Sequence, residues 1–62
     1  MCLSTVVKES NPDDIIMEYV SSLTVKGDSI VLTDMMGEQK VVQGTLTFAD
    51  LTGALIRIDT IN

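Results

Sequence analysis

The sequence predicts an all-β fold of about six to seven short antiparallel strands, a meander or small barrel, and two patterns carry that expectation. Turn signals recur at short intervals, at Asn11-Pro12-Asp13, Lys26-Gly27-Asp28, Met36-Gly37-Glu38, Gln43-Gly44 and Thr52-Gly53, with β-branched or apolar runs between them. Within several runs the apolar residues alternate. Leu23/Val25, Ile30/Leu32, Leu46/Phe48 and Ala54/Ile56/Ile58 would each fall on one face of a pleated strand and supply the core. The opposite faces carry Thr24, Lys26, Thr33, Thr47, Arg57 and Asp59, as a solvated side should.

The elements follow in order. A first strand is expected over residues 3–8, through Thr5-Val6-Val7. The next stretch is open to two readings: Asn11 could cap a helix, with Pro12 at its first position and Asp13 and Asp14 at its positive end. Ile16, Tyr19, Val20 and Leu23 also recur at helical spacing. Against that stand the β-branched Ile15, Val20, Thr24 and Val25 and the interruption at Ser21-Ser22, so the segment reads as a strand over 15–19 with a bend or single helical turn at 20–22. Strands over 23–26 and Ser29–Asp34 are joined by a tight turn in which Gly27 takes a positive φ. Strands over 39–43, 45–48 and 54–60 complete the set.

A chain of 62 residues is expected to fold as one domain, residues 1–62, with a thin margin, because a domain this size buries only about 60% of the surface its unfolded chain exposes. Hydrophobic residues are 45% of the sequence, yet Tyr19 and Phe48 are the only large aromatics, so Val, Ile, Leu and Met must build the core. A small barrel cannot hide them all. The surplus apolar surface points to a partner, and a second copy is the simplest one, which gives a homodimer.

One cysteine cannot form a disulfide within its own chain, so a reducing cytoplasmic setting is expected. The first residues carry neither a basic region nor a long apolar run, and no stretch approaches the roughly 20 apolar residues of a membrane span, so neither export nor membrane insertion is expected. The formal charge of -5 repels phosphate backbones, and Lys8, Lys26, Lys40 and Arg57 are scattered singly, which disfavours nucleic acid as a partner.

Enzymatic chemistry fails on inventory. Without histidine the chain lacks the usual general base near neutral pH, the serines have no partner base at a suggestive spacing, and the four glycines form no phosphate-binding loop. Asp13-Asp14 with Glu18, or Asp34 with Glu38, are the carboxylate groups that would suit a hard cation, but neither spacing matches a calcium loop and solvated turn carboxylates explain them. Met35-Met36 reads as apolar packing beside a turn before it reads as a soft-metal surface.

Cys2 is the residue to which a chemical role can be attached. If the initiator methionine is removed, the thiol, the new α-amine and the Leu3 amide become neighbours, and small chelate rings close without long-range folding cost. Thiolate sulfur with amine or amide nitrogen suits a square-planar divalent ion, and nickel(II) fits best. Two chains meeting near a symmetry axis would offer two such thiolates to one ion. The commoner role for such a residue is that of a small, weakly apolar side chain at the start of a strand, and composition alone leaves both open.

Taken together, Met1-Cys2-Leu3, Lys26-Gly27-Asp28, Leu32-Thr33-Asp34, Gly37-Glu38, Val41-Val42-Gln43-Gly44 and Asp50-Leu51 resemble, in order and spacing, the CooT family over nearly the whole chain. The resemblance implies a small SH3-like or Sm-like barrel that forms homodimers, with Cys2 as the essential nickel ligand, in proteins implicated in nickel delivery for carbon monoxide dehydrogenase maturation. It also favours strand over helix at 15–19, and it brings the older family label of predicted RNA-binding protein. A retained Met1 would remove the Cys2 amine from the ligand set and leave thiolate and backbone amides.

The HypC hydrogenase-maturation chaperones open on a similar Met-Cys-Leu, but they follow it with proline and glycine where Thr5-Val6-Val7 stands here. The sequence therefore points to a cytoplasmic, non-enzymatic metallochaperone that hands nickel to an apo-enzyme. The rivals are a small RNA-binding module, a HypC-like chaperone and a metal-independent adaptor.

Overall fold

The computed structural model describes residues 3–61 as five strands: β1 Ser4–Lys8, β2 Ile15–Lys26, β3 Ser29–Asp34, β4 Gln39–Asp50 and β5 Leu55–Thr60. They form a closed ring in chain order. Four junctions are antiparallel, as expected. The fifth is parallel: β1 and β5 run side by side from Thr5 opposite Leu55 to Lys8 opposite Ile58.

The strands are fewer and longer than the turn signals suggested, because two pairs of expected strands are each one continuous element. Segments 15–19 and 23–26 are the two halves of β2, and 39–43 and 45–48 lie within β4. At about 3.3 Å per residue a straight twelve-residue strand would run about 40 Å, beyond the molecule's longest extent of 29 Å, so both must bend. β2 bends at Tyr19, whose φ is 56°, and its register against β3 slips between Val20 and Ser22. No helical turn forms there. Ser21 instead donates its hydroxyl to the carbonyls of Thr33 at 3.1 Å and Asp34 at 3.2 Å, which holds the irregular stretch in the sheet. β4 changes partners at Gly44, pairing with β3 before it and with β5 from it onward.

Asn11 caps a turn and not a helix. Its side-chain oxygen accepts from the Asp13 amide at 3.2 Å and its carbonyl from the Asp14 amide at 2.9 Å, the local alternative that short polar side chains offer the backbone. Gly27 and Asp28 form a two-residue hairpin loop between the Lys26–Ser29 pair, with φ of 58° at Gly27, as a turn with a left-handed first position requires.

The core gathers Val6, Val20, Ile30, Leu32, Ile56 and Ile58, with Ile16, Met17, Leu23 and Val42 packed against it. The Ile30/Leu32 and Ile56/Ile58 alternations therefore face inward as read. Val25 shares that face, opposite Ile30, yet stands 53% exposed near the hairpin tip. Leu46 and Phe48 part company because the β4–β5 register slips between them. Leu46 stays opposite inward-facing Ile58 at an open sheet edge, whereas Phe48 pairs with Arg57 on the outer face, where the guanidinium lies 4.7 Å from the ring centroid. Val7 joins this outer row, opposite both Arg57 and Ile15, and is buried there.

Candidate functional site

Cys2 lies outside the described residues; what is described is its foundation. Chain entry to the barrel is pinned from Ser4 onward, by the Ser4–Val20 pairing to β2 and by the Thr5 amide donating to the Ala54 carbonyl at 2.9 Å. Ser4, Val20 and Asp34 form one row across β1, β2 and β3, so the start of β1 shares its end of the barrel with the β3–β4 turn. That turn is tied to the bend in β2 through the Met35 amide and the Tyr19 carbonyl, 2.9 Å apart.

Met35 and Met36 are not packed beside the turn, contrary to the expectation. They are 59% and 80% exposed, and Tyr19 beside them is 60% exposed. The reason is the turn's own chemistry. Asp34 Oδ1 accepts the amides of Met36 and Glu38, both at 2.9 Å, which closes the loop from within and leaves its side chains pointing outward. The carboxylate is thereby occupied by backbone donors. Asp14 is likewise engaged, 3.4 Å from Lys8 Nζ, a half-exposed pair worth roughly 0–1 kcal/mol. Among the described residues no group of three His, Cys, Asp or Glu could hold a metal ion.

Asp50 plays the same part in the β4–β5 turn. Its Oδ1 accepts the Gly53 amide at 3.0 Å, the Thr52 hydroxyl at 2.8 Å and the Thr52 amide at 3.1 Å. The Gly53 amide first, and then the Thr52 hydroxyl, hold its carboxyl below the ordinary carboxylate value. Because the folded state binds this proton less readily than the unfolded chain, the contribution is full above the unfolded value near 3.8 and disappears as pH falls through the folded one. Thermal melts from neutral pH downward are expected to show a loss below about pH 4 that Asp50→Asn lessens.

A groove of about 610 Å³ lies where β1 and β5 end. Lys8, Asp14, Ile15 and Ile16 form one wall, Lys40, Val41, Val42 and Gln43 the other, with Thr60 also lining it. Lys40 stands opposite Leu32, which faces the core, so its side chain projects from the inner face and its Nζ reaches the Ile16 carbonyl at 3.3 Å. Two lysines that look isolated in the sequence thus meet at one concavity. The signal for it was the phase of Lys40, which shares the inward alternation of Val42.

A family model matches residues 1–59, that of the CO dehydrogenase accessory protein CooT. The chain belongs to the CooT family. The fold agrees: the crystal structure of a protein assigned as CooT from Carboxydothermus hydrogenoformans superposes with a TM-score of 0.83 at 19% identity, covering 98% of this chain and 100% of that one. No curated protein matches the sequence. CooT proteins are accessory to an enzyme and are not enzymes themselves, in line with an inventory that offers no catalytic group. The matched span includes position 2, the Asp34 turn and both groove walls.

Proposed function

We propose that this CooT protein is a cytoplasmic nickel carrier that presents the Cys2 thiolate and passes Ni(II) to carbon monoxide dehydrogenase or a similar nickel enzyme. The observation that carries the reading is the family match through residues 1–59, which runs across a cysteine at position 2. Thiolate and main-chain nitrogen within two residues supply the donors a square-planar ion takes, and such a small chelate exchanges its cargo by ligand substitution. A thiol of pKa about 8.5 and an α-amine near 8 are mostly protonated at neutral pH, so nickel displaces protons and affinity rises with pH.

A homodimer completes the ligand set, two Cys2 thiolates and two nitrogens meeting at one ion. Exposed Tyr19, Met35 and Met36, at the same end of the barrel as the start of β1, offer apolar surface that a second copy would cover.

A nickel titration of the intact protein beside Cys2→Ser, followed by absorbance and sedimentation, tests this reading, with an intact mass to report whether Met1 is present. The parent should develop a thiolate-to-nickel charge-transfer band that saturates at about one ion per two chains and strengthens from pH 6 to 8. The serine variant should lack the band. Equal nickel affinity in both proteins would end the proposal.

A further inference from the structure

The β3–β4 ladder fixes the direction of each main-chain group in β4. The Asp34 amide donates to Glu38 at 2.9 Å and the Gly44 amide to Asp28 at 2.8 Å, so the residues in phase with them, Lys40 and Val42, turn their N–H and C=O toward β3. Gln39, Val41 and Gln43 turn theirs to the other side. There β5 serves β4 from Gly44 onward, and the Gln43 carbonyl takes the Ile61 amide at 3.1 Å. Among the described residues no strand stands opposite Gln39 or Val41 on that side. An open stretch of strand edge therefore borders the groove.

The charge at this edge runs against the rest of the molecule. A protein of net charge -5 lines this groove with two ammonium groups, Lys8 and Lys40, against one carboxylate, Asp14. Ile15, Ile16 and Val42 add aliphatic wall, and the volume of about 610 Å³ falls within the range of sites that enclose a compact ligand. Lys40 also guards the edge, since an inward-directed charge deters indiscriminate strand pairing.

We propose that the β4 edge at residues 39–43 is a docking slot for an extended acidic segment of a partner protein, which adds as a strand. The segment's main chain meets Val41, its aliphatic side chains rest on Ile15 and Ile16, and its carboxylates meet Lys8 and Lys40. This rests on the accessory reading only for the existence of a polypeptide partner; it requires neither nickel nor Cys2.

The test uses the full chain, ¹⁵N-labelled, with two capped peptides, Gly-Ile-Glu-Val-Glu-Gly and its counterpart with lysine for glutamate. The acidic peptide should shift the amides of Ile15, Ile16 and residues 39–43 saturably, and its affinity should fall several-fold between about 20 and about 300 mM salt. The basic peptide should not bind. Val41→Pro removes an N–H that makes no ladder bond, so it should keep the fold and lose the peptide. Lys40→Gln should weaken the acidic peptide by about fivefold, and methylating the peptide's central valine nitrogen by about tenfold, which decides the matter if Val41→Pro does not fold.

The proposal falls if the acidic peptide gives no saturable shifts, if the basic peptide shifts the same amides, or if folded Val41→Pro still binds. It falls also if isobutyrate alone reproduces the shifts at the same concentration, which would mark a small-acid site. None of these readouts involves metal, so failure here would leave the nickel titration untouched, and failure there would leave these shifts in place.

Discussion

Gly44→Ala is expected to destabilise the protein by about 3 kcal/mol or more. Gly44 is buried, and a Cβ there would collide with the Asp59 carbonyl oxygen and stand 2.9 Å from Thr60 Cα. Both obstacles are main chain, so no rotamer change relieves them. β4 and β5 would have to separate at their Gly44–Thr60 pair, where β4 also exchanges partners. Small domains hold roughly 0.05–0.15 kcal/mol per residue, about 3–9 kcal/mol for this one, so the substitution removes a third of the stability at least. Urea unfolding followed by circular dichroism would measure it. Gly27→Ala, which meets open space but keeps a φ of 58°, should cost only about 1 kcal/mol.

Ile58→Ala should follow at about 2–5 kcal/mol, the usual penalty for emptying a fully enclosed aliphatic site. Ile58 is 0% exposed and sits in β5 between Lys8 of β1 and Leu46 of β4, so its side chain packs where the parallel closure meets the antiparallel wall. A melting temperature lower by at least about 8 °C is expected, given about 4–8 °C per kcal/mol in a domain of this size. Met36→Ala, at an 80% exposed position, should stay within about 0.5 kcal/mol of the parent. A core role for Ile58 would be refuted if the two variants melted together.

The alternation at Ile30/Leu32 and Ile56/Ile58 was legible because these strands are short, regular and buried along one face. β2 and β4 were harder to read because serine pairs and glycines signal turns and bends with the same letters. Ser21-Ser22 and Gly44 look like interruptions, but the chain passes through them as strand, and the difference rests on long-range partners, Thr33 and Asp34 for Ser21, Asp59 and Thr60 for Gly44. The face change between Leu46 and Phe48 depends on a register slip that no local pattern encodes. Cys2 stands out in the sequence by its position, whereas the groove did not, since Lys8 and Lys40 meet only once the ring has closed.

That closure has a consequence for the protein's life on the ribosome. β1 has one antiparallel neighbour within easy reach, but its other flank waits for β5, which follows the other described strands in the chain. Pairings this distant in sequence form late and slowly, because the intervening loop must first be drawn in. A nascent chain therefore leaves one flank of β1 unpaired until residues 55–60 have emerged, and the barrel is completed only after translation has passed them. Only the finished barrel therefore holds β1 on both of its flanks.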